Sequence, residues 1–514
     1  MFNSINQFMK LSTVFISILF LFLSCKHVND KGSAVSIVAG SSRISGHIFP
    51  PDRYKSDSIV VTITIAYPIS GEIIRHNVFV DQSGKFLLDF DVETETSLIG
   101  LYSNINPDKT FFIKTKSNDS TRIDITYDAN LNIENVQTTS SMNNYDIMQS
   151  MEVLNKMIDY RPNDPNWKHP HLYTKSIDEF LSLIKKNVSD RISQFIDKDN
   201  LFSTEFKSFM SKDYSLFIYT GHVFNYESEM LRNYRKVTQD RDGAPKIKKI
   251  DRSYFRFLKD FNLNDPQYLH AFTFSEFQDS ILQNEVLKLP KIGETDITLW
   301  LNEVKAILAD LVGFDGGQYY DILTANAYAR QLNEEIRSLS EKQKENITQY
   351  WGNGEIAKIL LRKNQKVIEM EKIKSPTVVH DISSISKEQV IDALLTKYKN
   401  KVVFIDLWAT WCGPCLDAMK QFSGIKGGFH DEDIVFVYIT NSSSPKRLWE
   451  EKIKGIGSEH YYLTADQWGY IMDEFQFEYI PSYLLFNKDH DLVDKFSSFP
   501  GNAILKMKIN DLLN

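Results

Sequence analysis

Cysteine is scarce in this chain: of 514 residues only Cys25, Cys412 and Cys415 carry a thiol. So few thiols exclude a fold stapled by disulfides, and the length suits about three domains at the usual ~150 residues each. An excess of positive charge is missing too. Lys and Arg number 59 against 67 Asp and Glu, a formal net charge of -8, which leaves no footprint for a nucleic-acid backbone or an anionic lipid surface. Gly and Pro are sparse at 22 and 15, while 42% of residues are hydrophobic and 25% charged, a composition that excludes general disorder. The apolar run near the N-terminus, Leu11 to Ser24, falls short of the roughly 20 residues a membrane-spanning helix needs.

That run, "LSTVFISILFLFLS", follows a stretch whose only cation is Lys10 and ends against Cys25. It suits the hydrophobic region of an export signal. The small Ser24 directly before Cys25 resembles a bacterial lipoprotein signal, the alternatives being a plain cleavable signal or an uncleaved anchor. The resemblance implies that residues 1–25 are a signal ending in a lipidated Cys25, with a membrane-anchored, periplasm-facing chain beyond it. Lipidation of Cys25 would leave Cys412 and Cys415 as a pair, and two neighbouring thiols in an oxidising compartment favour exchange chemistry over a structural staple.

Residues 26–138 read as a β-rich domain. "SIVVTITIA" alternates Val61, Ile63 and Ile65 with Thr62 and Thr64, and "EIIRHNVFV", "GKFLLDFDV", "TFFIKTKS" and "TRIDITYDA" repeat the period of two between turn residues, as in a small antiparallel sandwich. Residues 139–372 change to a helical period. In "SIDEFLSLIKKNVSDRISQFI", Phe180, Ile184, Val188, Ile192 and Phe195 form one apolar stripe, and the many aromatics here read as core. "HPHLY" (His169–Tyr173) is expected to be a loop rather than a metal site, and "DRDG" (Asp240–Gly243) a turn rather than a calcium loop.

Residues 373–514 alternate strand and helix. After a linker and edge strand in "KSPTVVHDISSIS", Ser386 and Gln389 suggest a capping box opening "KEQVIDALLTKY". Strand "KVVFIDLWA", helix "CLDAMKQF", strand "DIVFVYIT", helices "PKRLWEEKI" and "ADQWGYIMDEF", strands "PSYLLFN" and "LVDKFSS" and a closing helix follow, implying a mixed sheet covered on both faces.

The chemistry concentrates in "WCGPC" at a strand-to-helix junction. The unpaired amides and positive dipole end of a helix start favour the thiolate of Cys412, bringing an ordinary thiol pKa near 8.5 to roughly 3.5–7.5. Cys412 is therefore the expected nucleophile and Cys415 the thiol that resolves the mixed disulfide. Gly413 lets a substrate backbone approach, and Pro414 gives up an amide that a helix start leaves unpaired.

"VVFIDLWAT" followed by "WCGPC" resembles the thioredoxin superfamily, and the export context resembles its TlpA/ResA-type thiol-disulfide oxidoreductases. The resemblance covers roughly Ile373 to Asn514. It implies a thioredoxin-like α/β domain at the C-terminus of an α+β multidomain chain, behind a β-sandwich-like and a helical domain. It also implies that Asp406 is a buried acid relaying the proton Cys415 must lose, and that Pro481 after Ile480 is a cis-proline facing the dithiol. The backbone beside Pro481 would then pair with substrate, and Trp411 would shape the docking surface. Lys420 stands where that family has a helix-kinking proline.

Zinc needs a second ligand pair that the sequence lacks, so neither metal nor cofactor is expected. Peroxidase chemistry on this fold has Pro and Thr or Ser where Ile405 and Ala409 stand. The expected partners are exported proteins with oxidised cysteine pairs, including apocytochromes, a membrane electron donor, and the membrane through the lipid anchor. The other class of function is a binding or scaffolding lipoprotein whose thioredoxin-like module docks partners without turnover.

Overall fold

The computed structural model describes residues 35–513 except 52–53, 55–58, 162–168, 241–242, 373–375 and 431. Cys25 and its apolar run lie outside the described residues. Eight strands come first: β1 (Ile37–Phe49), β2 (Val60–Tyr67), β3 (Glu72–Phe79), β4 (Lys85–Thr94), β5 (Thr96–Ser103), β6 (Phe111–Lys116), β7 (Ser120–Tyr127) and β8 (Ile133–Thr138). They form two four-stranded sheets, ordered β4-β1-β7-β8 and β3-β2-β5-β6. Their inward residues, among them Ile44, Val61, Ile63, Phe111 and Ile123, share one core.

Two features depart from the sequence reading. β1 and β7 pair in parallel, Ser45 opposite Arg122, because the chain crosses into the second sheet and returns beside β1 running the same way. β5 escaped the period-two reading because Ser97 to Leu101 are all buried: Ile99 and Leu101 face the sandwich core while Leu98 joins the helical core. A strand covered on both faces loses its alternation.

The helices that follow are α1 (Asn144–Asp159), α2 (Ile177–Ile192), α3 (Thr204–Ile218), α4 (Tyr226–Thr238), α5 (Phe274–Leu282), α6 (Ile297–Val312), α7 (Gln318–Glu334), α8 (Glu341–Trp351) and α9 (Glu355–Lys372). Helix α2 opens with a capping box between Ser176 and Glu179 and buries Phe180, Ile184 and Val188. A π turn at Ser193–Asp197 then brings Ile196 into the core, while Phe195 at the end of the expected stripe stays half-buried. Apolar residues every four positions drift around a 3.6-residue helix, and one wide turn absorbs the drift. The β2–β3 turn plugs this region. Asn326 Nδ2 donates to Pro68 O and Ile69 O at 2.9 Å each, and buried Glu93 accepts the Ile69 and Ser70 amides at 2.7 and 3.0 Å.

The last region holds β9 (Thr377–His380), α10 (Val390–Leu395), β10 (Val402–Leu407), α11 (Gly413–Lys426), β11 (Ile434–Asn441), α12 (Lys446–Ile456), β12 (Ser458–Leu463), α13 (Ala465–Glu474), β13 (Ser482–Phe486), β14 (Leu492–Ser497) and α14 (Asn502–Leu513). The sheet order is β14-β13-β10-β11-β12-β9, parallel from β10 to β9 and antiparallel at β13 and β14. Helices α11, α12 and α14 cover one face, and α10 and α13 the other. The capping box expected at Ser386 does not form. Gln389 instead closes a tight turn, its amide donating to Ser386 O at 3.0 Å, and α10 starts only at Val390. Strand β12 was missed because "SEHYYL" looks polar; His460 is nonetheless buried, Nε2 bonded to Gly457 O at 2.8 Å.

This region docks closely on the rest. A Cβ at Gly455 of α12 would lie 2.8 Å from Glu334 O and 2.9 Å from Glu335 O, so glycine there permits backbone-to-backbone approach to the end of α7.

Candidate active site

Strand β10 is buried along its whole length and delivers the chain to the surface through Trp408 to Thr410. The Thr410 amide donates to Ser444 Oγ at 3.0 Å, and Ser444 is tied to Thr440 Oγ1 at 2.8 Å, which fixes the approach to the dithiol. Cys412 is the N-cap of α11, with Gly413 and Pro414 in the first turn and Cys415 at the third position. Its sulfur accepts the Cys415 amide at 3.2 Å. A helix N-terminal amide aimed at this sulfur favours its anionic form. Helix α11 runs unbroken through Lys420.

Cys412 and Cys415 are joined in a disulfide with a Cα–Cα distance of 5.3 Å. Both residues are sheltered, Cys412 at 4% exposure and Cys415 at 0%. Cys412 is the more accessible of the two, and the flanking Gly413 and Pro414 are exposed. Trp411 stands out at 63% exposure with its indole Nε1 donating to Ser443 Oγ at 3.2 Å. The Ile480–Pro481 bond is cis. Pro481 is buried and Ile480 half-buried, while Tyr479, which the sequence reading did not single out, is 56% exposed beside them.

Beneath α11, Asp406 is wholly buried, and neither carboxylate oxygen has a hydrogen-bond partner among the described residues. Loss of solvation pushes its pKa well above the ordinary carboxylate range, and the positive charge of Lys426 opposes this in part. It shares its face of the sheet with residues that were not read as site residues: Tyr438 on β11 and Tyr483 on β13 are its cross-strand neighbours, and His460 lies beyond Tyr438. The Lys426 ammonium sits 4.5 Å from the centre of the Tyr438 ring. The signal for these was the alternation of "DIVFVYIT" and "PSYLLFN", which puts one tyrosine of each strand on the Asp406 face once the register is known.

Gly413, Leu416 and Met419 of α11 border a cleft of about 280 Å³ whose far wall comes from outside this region: Ile73 and Arg75 of β3 and Arg330 and Ile336 at the end of α7. No sequence pattern foretold that wall.

Residues 357–502 match the Redoxin family. Thiol-disulfide oxidoreductase YkuV of Bacillus subtilis (strain 168) is 26% identical over 133 residues, 25% of this chain and 84% of the relative. The C-terminal region belongs to the thioredoxin superfamily. It is a thiol-disulfide oxidoreductase, and the dithiol on α11 is the group able to carry that reaction. Among solved structures, the thioredoxin domain of a thiol-disulfide oxidoreductase from Bacteroides vulgatus is 15% identical, with 23% of this chain and 84% of that one covered at a TM-score of 0.21. StoA from Bacillus subtilis is 20% identical, with 21% and 82% covered at a TM-score of 0.19.

Proposed function

We propose that this thiol-disulfide oxidoreductase is exported, anchored to the membrane through Cys25, of the TlpA/ResA type, and reduces disulfides of other exported proteins. The observation that carries the chemistry is the Cys412 sulfur capping α11 and accepting the Cys415 amide. Cys412 attacks a substrate disulfide, forming a mixed disulfide and releasing one substrate thiol. Cys415 loses its proton and attacks Cys412, which frees the second thiol and leaves the protein oxidised. Asp406 takes the Cys415 proton, and a membrane electron donor restores the dithiol. No cofactor enters these steps. Trp411, Gly413, Pro414 and the backbone at Ile480 and Pro481 form the docking surface.

The cleft beside Gly413 supports substrates larger than a small thiol reagent, since β3 and α7 would meet whatever approaches α11 from that side. The apolar run before Cys25 supports export; among the described residues no helix is long and apolar enough to cross a membrane. Replacing Cys415 by serine in the full-length protein tests the reading. Mixed disulfides with exported proteins should accumulate on Cys412 and vanish on reduction; a trap that collects none, in a protein that still binds partners, favours the docking alternative.

A further inference from the structure

Three neighbouring strands place Tyr483, Asp406 and Tyr438 side by side, with Asp406 opposite Tyr438 in the parallel pair and opposite Tyr483 in the antiparallel pair. Cross-strand neighbours on one face have Cβ atoms about 4.5–5.5 Å apart. All three side chains are buried, and both Asp406 oxygens and both tyrosine hydroxyls are without a hydrogen-bond partner among the described residues. Leaving a buried polar group unmatched costs about 1–3 kcal/mol, so four orphaned atoms on three cross-strand neighbours argue for a shared solution. A carboxylate between two phenols supplies the two to four polar partners that a buried water requires.

We propose that Tyr438 and Tyr483 are positioning residues for the resolving step, their hydroxyls holding the Asp406 carboxylate through a shared buried water. This rests on the reading of Asp406 as the proton acceptor. Cys415 S–H passes its proton to the carboxylate. The thiolate forms the Cys412–Cys415 bond as the bond from Cys412 to substrate sulfur breaks, and the departing thiolate is protonated from solvent. The dithiol is oxidised by two electrons and the substrate disulfide reduced by two. The two hydroxyls act before the transfer, by donating toward the ionised carboxylate and so keeping it able to accept.

The titratable groups around the spot are Cys412, Cys415 and Lys426 on α11, and His460 on β12, whose ring stacks on Tyr438 at 5.1 Å. The covering helices α12 and α14 present Trp449, Ile453, Leu505 and Ile509 there. Lys426 reaches Tyr438 across the ring face and not at the hydroxyl, so the phenol remains available for the carboxylate.

The test uses the reduced full-length protein and Ellman's reagent, whose first thionitrobenzoate leaves on attack by Cys412 and whose second leaves on resolution by Cys415. Tyr438→Phe and Tyr483→Phe should each raise the pH midpoint of the second release by about one unit, the effect of losing one hydrogen bond to a charged group. Neither should move it in an Asp406→Asn background. Folded phenylalanine variants with an unmoved midpoint overturn the proposal. If a variant does not fold, the infrared difference between wild type and Asp406→Asn at low pH decides: a carbonyl stretch at the frequency of a hydrogen-bonded acid supports it, and one at the free-acid frequency overturns it. A protein that releases no second thionitrobenzoate at any pH contradicts the functional reading instead, and the infrared band still settles the hydrogen bonding.

Discussion

Asp406→Asn is expected to stabilise the protein, and more so as pH rises. The wild-type carboxyl is wholly buried with both oxygens unpaired among the described residues, and desolvation raises its pKa well above the ordinary value against a partial offset from Lys426. A carboxyl whose pKa is raised by folding contributes its stability below the unfolded-state value and loses it as pH climbs through the folded-state value. Each unit by which folding raises that pKa corresponds to about 1.4 kcal/mol lost at high pH. Asparagine has nearly the same shape and no charge, so it is spared this loss. Urea denaturation of both proteins from pH 4 to pH 9, followed by tryptophan fluorescence, should show curves that lie close at pH 4 and separate steadily above it. Since Trp408 and Trp449 lie in the same core as the dithiol, the signal includes this part of the chain. A stability difference independent of pH, or a variant less stable at pH 9 than at pH 4 relative to wild type, refutes the argument. The same substitution should slow the second release from Ellman's reagent near neutral pH.

In the helical region, Asp213 is buried, and desolvation raises its pKa from 3.8 to about 6, the Thr273 amide opposing this with a 2.8 Å hydrogen bond. Its stability contribution is present below pH 4 and lost as pH rises through 6, so Asp213→Asn should gain up to about 3 kcal/mol at pH 8, less what the altered hydrogen bond costs; equal urea midpoints at pH 4 and pH 8 would contradict this. Gly455→Val should force α12 away from Glu334 and Glu335 at a cost of about 1–3 kcal/mol, seen as a lower urea midpoint, with an unchanged midpoint contradicting the close approach. Ile73→Glu, in the far wall of the cleft, should slow reduction of a protein disulfide such as insulin's several-fold while leaving the reaction with Ellman's reagent unchanged; equal loss with both contradicts a substrate role for that wall.

The dithiol, the burial of Asp406 and the cis bond before Pro481 were legible because each belongs to a short contiguous motif. Most of the period-two segments and the stripe of α2 were legible because polar residues there alternate with the buried apolar ones, although Phe111 to Ile113 of β6 are buried on both faces. Strand β5 was hidden by burial on both faces, and β12 by a buried histidine whose Nε2 bonds to the Gly457 carbonyl inside the fold. Tyr438 and Tyr483 were in view as strand residues, yet their placement beside Asp406 depends on strand register, which pairs β10 with segments some 30 and 75 residues away. The cleft wall depends on docking between distant parts of the chain, which leaves no local pattern.

Catalysis turns on the acidity of one sulfur. In the reduced full-length protein, the rate at which iodoacetamide alkylates Cys412 should titrate with a midpoint between roughly 3.5 and 7.5, while Cys415 reacts far more slowly at every pH. A midpoint near the 8.5 of a free thiol, or a Cys412 that the reagent never reaches, contradicts the assignment of this helix terminus as the seat of catalysis.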